Sequence, residues 1–276
     1  MRRLVLLLVF LLPVDVRAQE YAISAVRYAT IEGFPLAGLL PDAPRSERVD
    51  IAMAFWVIES ADRVVLFDTG FHRARWLERF EVSDFMRPDS AARLAGVHSD
   101  SVTDIIVSHA HWDHMGGIDL FPNATIWMQE EEYRYYTGPA WQPDGRSGGI
   151  DADDIRELVD RNLTGTVRLV AGDSVEILPG IVVLTGARHT FASQYVMVRG
   201  DPTYVLASDN AYLYTNLREG RAGATFLPND REGNLAAIDR MLRLAGDADH
   251  VIPGHDPLPF ERFPTRGRVA AIKGHE

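Results

Sequence analysis

Cysteine is absent from this chain. That excludes disulfides, thiolate metal ligands and lipid attachment through a leader cysteine. No segment reaches the ~20 consecutive apolar residues that a membrane-spanning helix needs. Basic side chains are in deficit: 28 Lys and Arg stand against 39 Asp and Glu, a formal net charge of -11. An acidic surface repels phosphate, which argues against DNA, RNA and anionic membranes as partners. With 276 residues, 46% of them hydrophobic, the chain can bury a substantial core as one large domain or two small ones.

The N-terminus carries an address. Arg2 and Arg3 precede an apolar run over 4–12 that is too short to span a bilayer, and Val16-Arg17-Ala18 offers a small-x-small cleavage site before Gln19. Residues 1–18 therefore read as a secretory signal and 19–276 as the mature domain, placed in the periplasm or the medium. Losing Arg2, Arg3 and Arg17 against Asp15 takes the net charge from -11 to -13.

What the chain does hold is His109-Ala110-His111-Trp112-Asp113-His114, followed by Met115-Gly116-Gly117. Three imidazoles and a carboxylate fall within six residues, directly after the apolar run 105–107, which reads as a buried strand. No Lys or Arg occurs over 103–128, so the cluster is no basic patch. Imidazole with carboxylate suits zinc, and also iron, manganese or cobalt. In an extended chain, side chains alternate, so His109, His111 and Asp113 would face one way and His114 the other, offering ligands to two adjacent ions.

Along the rest of the chain, 21–28 is β-prone and 29–50, with Pro35, Pro41 and Pro44, reads as an irregular loop. A hairpin over 51–58 and 63–67 ends in Asp68-Thr69-Gly70, where Asp68 is either a group supporting the metal site or a turn cap. Helices are expected at 73–80, 90–97, 129–136, 151–161 and 234–245, and strands at 104–108, 125–128, 167–170, 174–177, 181–184, 194–198, 204–207 and 251–252. His72 and His98 lack partners at ligand spacing and read as surface residues. Glu130, Glu131 and Glu132 favour the helix dipole and read as a solvated face. The Pro- and Gly-rich segment 137–149, holding Trp141, is either a flap or a connector.

Three further ligand-type residues follow strands: His189, Asp209 and His255. Strand-end loops converge at one rim of a sheet although their residues lie far apart in sequence. His-x-His-x-Asp-His with the three later residues, in that order and at those intervals, resembles the metallo-β-lactamase superfamily over essentially the whole mature chain. The resemblance implies an α/β fold, the four-layer αββα metallo-β-lactamase sandwich, with a dinuclear site along one edge. It also implies that His109, His111 and His189 hold one ion, that Asp113, His114 and His255 hold the second, and that Asp209 bridges them.

Asp209 and the lack of cysteine separate the chain from the main groups of true β-lactamases. Asp209-Asn210-Ala211-Tyr212 is similar to the Asp-x-x-Tyr of the quorum-quenching N-acyl homoserine lactonases. By that likeness Tyr212 donates a hydrogen bond toward the substrate carbonyl, Trp112 lies beside the acyl chain, and a hydroxide between two divalent ions opens the lactone while Asp113 shuttles the proton. The segment around His189 departs from the family pattern, with Arg188 where a glycine is usual; near the mouth, Arg188 would favour an anionic group. A related metallohydrolase of other esters, phosphotriesters or β-lactams is the alternative. The expected partner is a small-molecule substrate, with no nucleic acid, no membrane once the leader is cleaved, and a homodimer left open.

Overall fold

The structure is a computed structural model that describes residues 20–186, 188–225 and 230–274. The leader read over 1–18 lies outside the described residues. The strands are β1 (Ala22–Pro35), β2 (Arg48–Glu59), β3 (Val64–Phe67), β4 (Asp104–Ile106), β5 (Thr125–Gln129), β6 (Val167–Val170), β7 (Val175–Leu178), β8 (Ile181–Thr185), β9 (Gln194–Val198), β10 (Tyr204–Ser208), β11 (Val251–Pro253), β12 (Thr265–Arg266) and β13 (Val269–Lys273). The helices are α1 (Ala74–Arg79), α2 (Pro88–Leu94), α3 (Trp112–Met115), α4 (Glu130–Tyr136), α5 (Ala152–Leu163), α6 (Tyr214–Glu219), α7 (Arg231–Ala245) and α8 (Pro259–Arg262).

One sheet runs β12-β13-β1-β2-β3-β4-β5-β6 and the other β11-β10-β9-β8-β7. Strand side chains alternate, and the alternation assigns the layers. Trp56 and Ile58 of β2 join Ile181 and Val183 of β8 in the core between the sheets. Phe55 and Val57 point the other way, onto Trp76 of α1, Ala91 of α2 and Leu158 of α5. Val182 and Leu184 of β8 turn outward against Ile238 and Met241 of α7. Helices, sheet, sheet, helices is the αββα sandwich expected. No described helix is long and apolar enough to cross a membrane.

Two expectations about the path of the chain are corrected. The loop over 29–50 is shorter, because β1 continues to Pro35 and absorbs its irregularity as register shifts between Arg27 and Ala29 and between Ile31 and Phe34 against β2. The C-terminal strands β12 and β13, not foreseen, return to the first sheet, where β13 pairs antiparallel with β1. Parallel pairing of β3, β4 and β5 then sets the ends of those strands, and with them Asp68 and the histidine cluster, along one sheet edge.

Candidate metal centre

The histidine cluster is not extended throughout. His111 keeps extended backbone (φ -64°, ψ 150°) and caps α3, so Trp112, Asp113 and His114 lie in a helical turn. This overrides the simple alternation and carries Asp113 and His114 together to one side. Gly116 and Gly117 permit the turn to close: a Cβ at Gly117 would sit 2.5 Å from the Thr69 carbonyl oxygen.

Two groups of ligand atoms form, each within 4.8 Å: His109, His111, His189 and Asp209, and Asp113, His114 and His255. His111 Nδ1 lies 3.0 Å from His109 Nε2 and 2.9 Å from His189 Nε2. Asp209 stands between the groups, Oδ2 3.2 Å from His189 Nε2 and Oδ1 3.0 Å from His255 Nε2. The seven residues expected as ligands are thus brought together at the ends of β4, β8, β10 and β11.

The outer nitrogens decide which way the lone pairs point. His255 Nδ1 donates to the Ala52 carbonyl at 3.1 Å, and His114 Nδ1 donates to Asp68 Oδ2 at 2.8 Å. His109 Nδ1 meets Ser108 Oγ at 2.8 Å, and that hydroxyl in turn donates to Asp68 Oδ2 at 2.8 Å. With protons held outside, the Nε2 atoms of these rings present lone pairs inward. His114 Nε2 and Asp209 Oδ1 are buried and make no aligned hydrogen bond, although they lie 3.3 Å apart. Atoms that converge on common points rather than on each other fit a bound cation.

Electrostatics agrees. Burial lowers the pKa of His109 and His111 well below the usual imidazole value, aided by the neighbouring rings. Burial also opposes charge on His114, but Asp209, Asp113 and Asp68 outweigh it and raise its pKa well above the usual value. Asp209 is likewise penalised by burial, yet His114, His255 and His189 hold its pKa well below the usual carboxylate range. The carboxylates favour positive charge at this spot.

Asp68 is fully buried and acts as a support rather than a turn cap: it accepts from His114, from Ser108 N–H at 2.7 Å and from Ser208 Oγ at 3.1 Å. Glu132 corrects the solvated-face reading. It is fully buried, and burial raises its pKa to about 7 against the pull of three hydrogen bonds. Its position on one helical stripe with buried Tyr136 was the available signal. His72 pairs with Asp119 at 3.0 Å, away from both ligand groups.

A cavity of about 340 Å3 opens above the centre. Its floor includes His111, Asp113, His189, Asp209, Tyr212 and His255; Ile31, Phe34, Leu39, Ile51 and Met53 form one wall, and Trp76, Phe80 and Trp112 another. Trp112 packs near-parallel to both Trp76 and Phe80, with interplanar angles of 13° and 10° and ring centroids 4.8 and 4.9 Å away, and those two rings stack on each other at 6.1 Å. Tyr212 reaches the floor, but its hydroxyl is engaged by His189 and Ala224. Arg188 is not brought in: it has left-handed backbone (φ 43°) and lies exposed, outside the cavity lining. Of segment 137–149 only Gly149 lines the cavity, while Trp141 lies 42% exposed with its indole N–H on the Tyr136 carbonyl.

The metallo-beta-lactamase superfamily model matches residues 54–255. The chain belongs to that superfamily. Among curated relatives, it is 25% identical over 203 residues to N-acyl homoserine lactonase AiiB of Agrobacterium fabrum (strain C58 / ATCC 33970), covering 62% of this chain and 67% of that protein. It is 42% identical over 185 residues to N-acyl homoserine lactonase AttM of Azorhizobium caulinodans, covering 62% of this chain and 64% of the relative. The superfamily fold is also that of AidC, a dizinc quorum-quenching lactonase solved with a product, at TM-score 0.64 and 17% identity over 88% of this chain and 90% of AidC.

Proposed function

We propose that this superfamily member is a metal-dependent hydrolase that opens the ring of N-acyl homoserine lactones, and that residues 1–18 export it. One observation carries the reading: His111, Asp113, His189, Asp209 and His255, drawn from both ligand groups, line a cavity whose other residues are mostly apolar and aromatic. His109, His111 and His189 would hold one divalent ion and Asp113, His114 and His255 another, with Asp209 shared. Zinc is the first choice for these donors; iron, manganese and cobalt also suit them. Bound there, the ions would supply Lewis acidity, bringing the pKa of water near neutrality and polarising an ester carbonyl.

The chain's own groups do the rest. Asp113 keeps 13% of its side chain exposed toward the cavity, and burial raises its pKa, so its carboxylate can take a proton from the attacking water and return it to the leaving alkoxide. Burial holds the Tyr212 pKa well above 10, so its hydroxyl stays a neutral donor. To donate to a substrate carbonyl it gives up the Ala224 carbonyl while still accepting from His189. Trp112, Trp76 and Phe80 give an acyl chain a flat apolar wall.

Alternative substrates bearing a phosphoryl or carboxylate group would take Arg188 as an anion contact, which its exposed position outside the cavity does not supply. Purified enzyme is tested with long- and short-chain acyl homoserine lactones, a phosphotriester and a carbapenem, with metal analysis on the same sample. Lactone opening with about two ions per chain is expected. Turnover of the phosphotriester or carbapenem alone would overturn the substrate assignment.

A further inference from the structure

Glu132 contacts none of the ligand atoms, yet every hydrogen bond it accepts comes from a loop that carries one. Oε1 accepts from Ala110 N–H at 2.9 Å and from Thr190 Oγ1 at 2.6 Å; Oε2 accepts from Ala192 N–H at 2.6 Å. Ala110 lies between His109 and His111, and Thr190 follows His189. One buried carboxylate therefore ties the loop after β4, in the first sheet, to the loop after β8, in the second. Lower down, Gln194, where the loop after β8 enters β9, donates to the Ser108 and Val107 carbonyls beyond β4, at 2.8 and 2.7 Å. Glu132 is tied to the stretch that bears the imidazoles. None of its bonds reaches Asp113, His114 or His255.

We propose that Glu132 is a positioning residue that sets the cation affinity of the His109, His111 and His189 group, and not that of the other group, by lashing its two loops together. The demand is strict, since His111 Nδ1 must meet nitrogens from both loops within 3.0 Å. Both carboxylate oxygens are acceptors facing N–H donors. In Glu132→Gln either orientation of the amide turns its NH2 onto the N–H of Ala110 or of Ala192. Shape is kept and one link of the lashing becomes repulsive.

The inference rests on the two-ion reading above, and the experiment separates them. Zinc affinity and stoichiometry are measured on purified full-length enzyme by chelator competition, with cobalt spectra reporting each site. Wild-type enzyme holding fewer than two ions would sink the two-ion reading. With two ions in wild type, Glu132→Gln is expected to weaken one site by about 10–100-fold and leave the other unchanged. Thr190→Val, which deletes a single donor, should show a smaller loss at the same site and covers the case in which Glu132→Gln fails to fold. Ile238→Ala, a truncation in α7 remote from both loops, controls for general destabilisation and should keep both affinities. Equal weakening of both sites, unchanged affinity in Glu132→Gln and Thr190→Val, or the same loss in Ile238→Ala would overturn the proposal.

Discussion

The Tyr212 hydroxyl lies 2.8 Å from His189 Nδ1 and 3.0 Å from the Ala224 carbonyl oxygen. Because that carbonyl only accepts, the phenol donates to it and accepts from the imidazole N–H, which fixes the tautomer that aims Nε2 at the centre. Tyr212→Phe leaves His189 Nδ1 with the Ala224 carbonyl alone, at 3.3 Å. Zinc affinity at one site should fall about tenfold, and turnover should stay reduced at excess metal because the donor to the substrate carbonyl is gone. Unchanged affinity would refute the hydroxyl's support of His189, and turnover fully restored by excess metal would refute its contact with the substrate.

Asp68 stands behind His114 as Tyr212 stands behind His189. It also takes donors from Ser108 and Ser208, so it ties the ends of β4 and β10 to one imidazole. Asp68→Asn puts an amide where four donors expect a carboxylate. Affinity at the Asp113, His114 and His255 group should drop about 10–100-fold. Isothermal titration with zinc checks it, and an unaltered second binding event would refute the role.

The ligand residues were legible in the sequence because each follows a run of apolar, β-prone residues, and strand ends gather at one sheet edge. What was not legible depended on contacts across the fold. The helical turn at Trp112 breaks the alternation expected of the cluster, and it is through that turn that Asp113 and His114 form the group the family resemblance implies. Glu132 reads as a solvated face because an acidic triplet at a helix start suits the dipole equally well exposed or buried; the stripe it shares with Tyr136 is the sequence cue to burial, and the loops it meets give it its role. Arg188 lies exposed and outside the cavity lining, a placement its neighbours in sequence do not reveal. Strand β12 has only two residues, and β13 is marked as a strand by the edge of β1 it pairs with.

The aromatic wall makes a prediction about chain length. Phe80 is half-buried and stacks on Trp112 at the cavity, so truncating it removes substrate contact at less cost to the core than cutting Trp112. Phe80→Ala should lower kcat/KM for long-chain acyl homoserine lactones about tenfold, equivalent to about 1.4 kcal/mol of lost apolar contact, chiefly through KM. Short-chain substrates should change little. An equal loss for both would place the acyl chain elsewhere.

Asp154 gives the fold a pH dependence outside the metal centre. It is buried; Oδ1 accepts from Arg73 Nε at 2.7 Å, while Oδ2 is buried without a hydrogen bond. Burial raises its pKa to about 7, with Asp151 and Asp119 adding like charge and Arg73 opposing. Below the usual carboxylate value both folded and unfolded chains hold the proton, and the group contributes nothing to the slope. Between about 4 and 7 the unfolded chain has lost the proton and the folded chain keeps it, so stability falls as pH rises. Asp154→Asn cannot pay that cost, so its stability relative to wild type should climb from pH 4 to pH 8 by an amount on the order of a few kcal/mol. Urea unfolding of both proteins across that range measures the difference directly, and a gap that stays constant with pH would show that Arg73 keeps Asp154 ionised throughout.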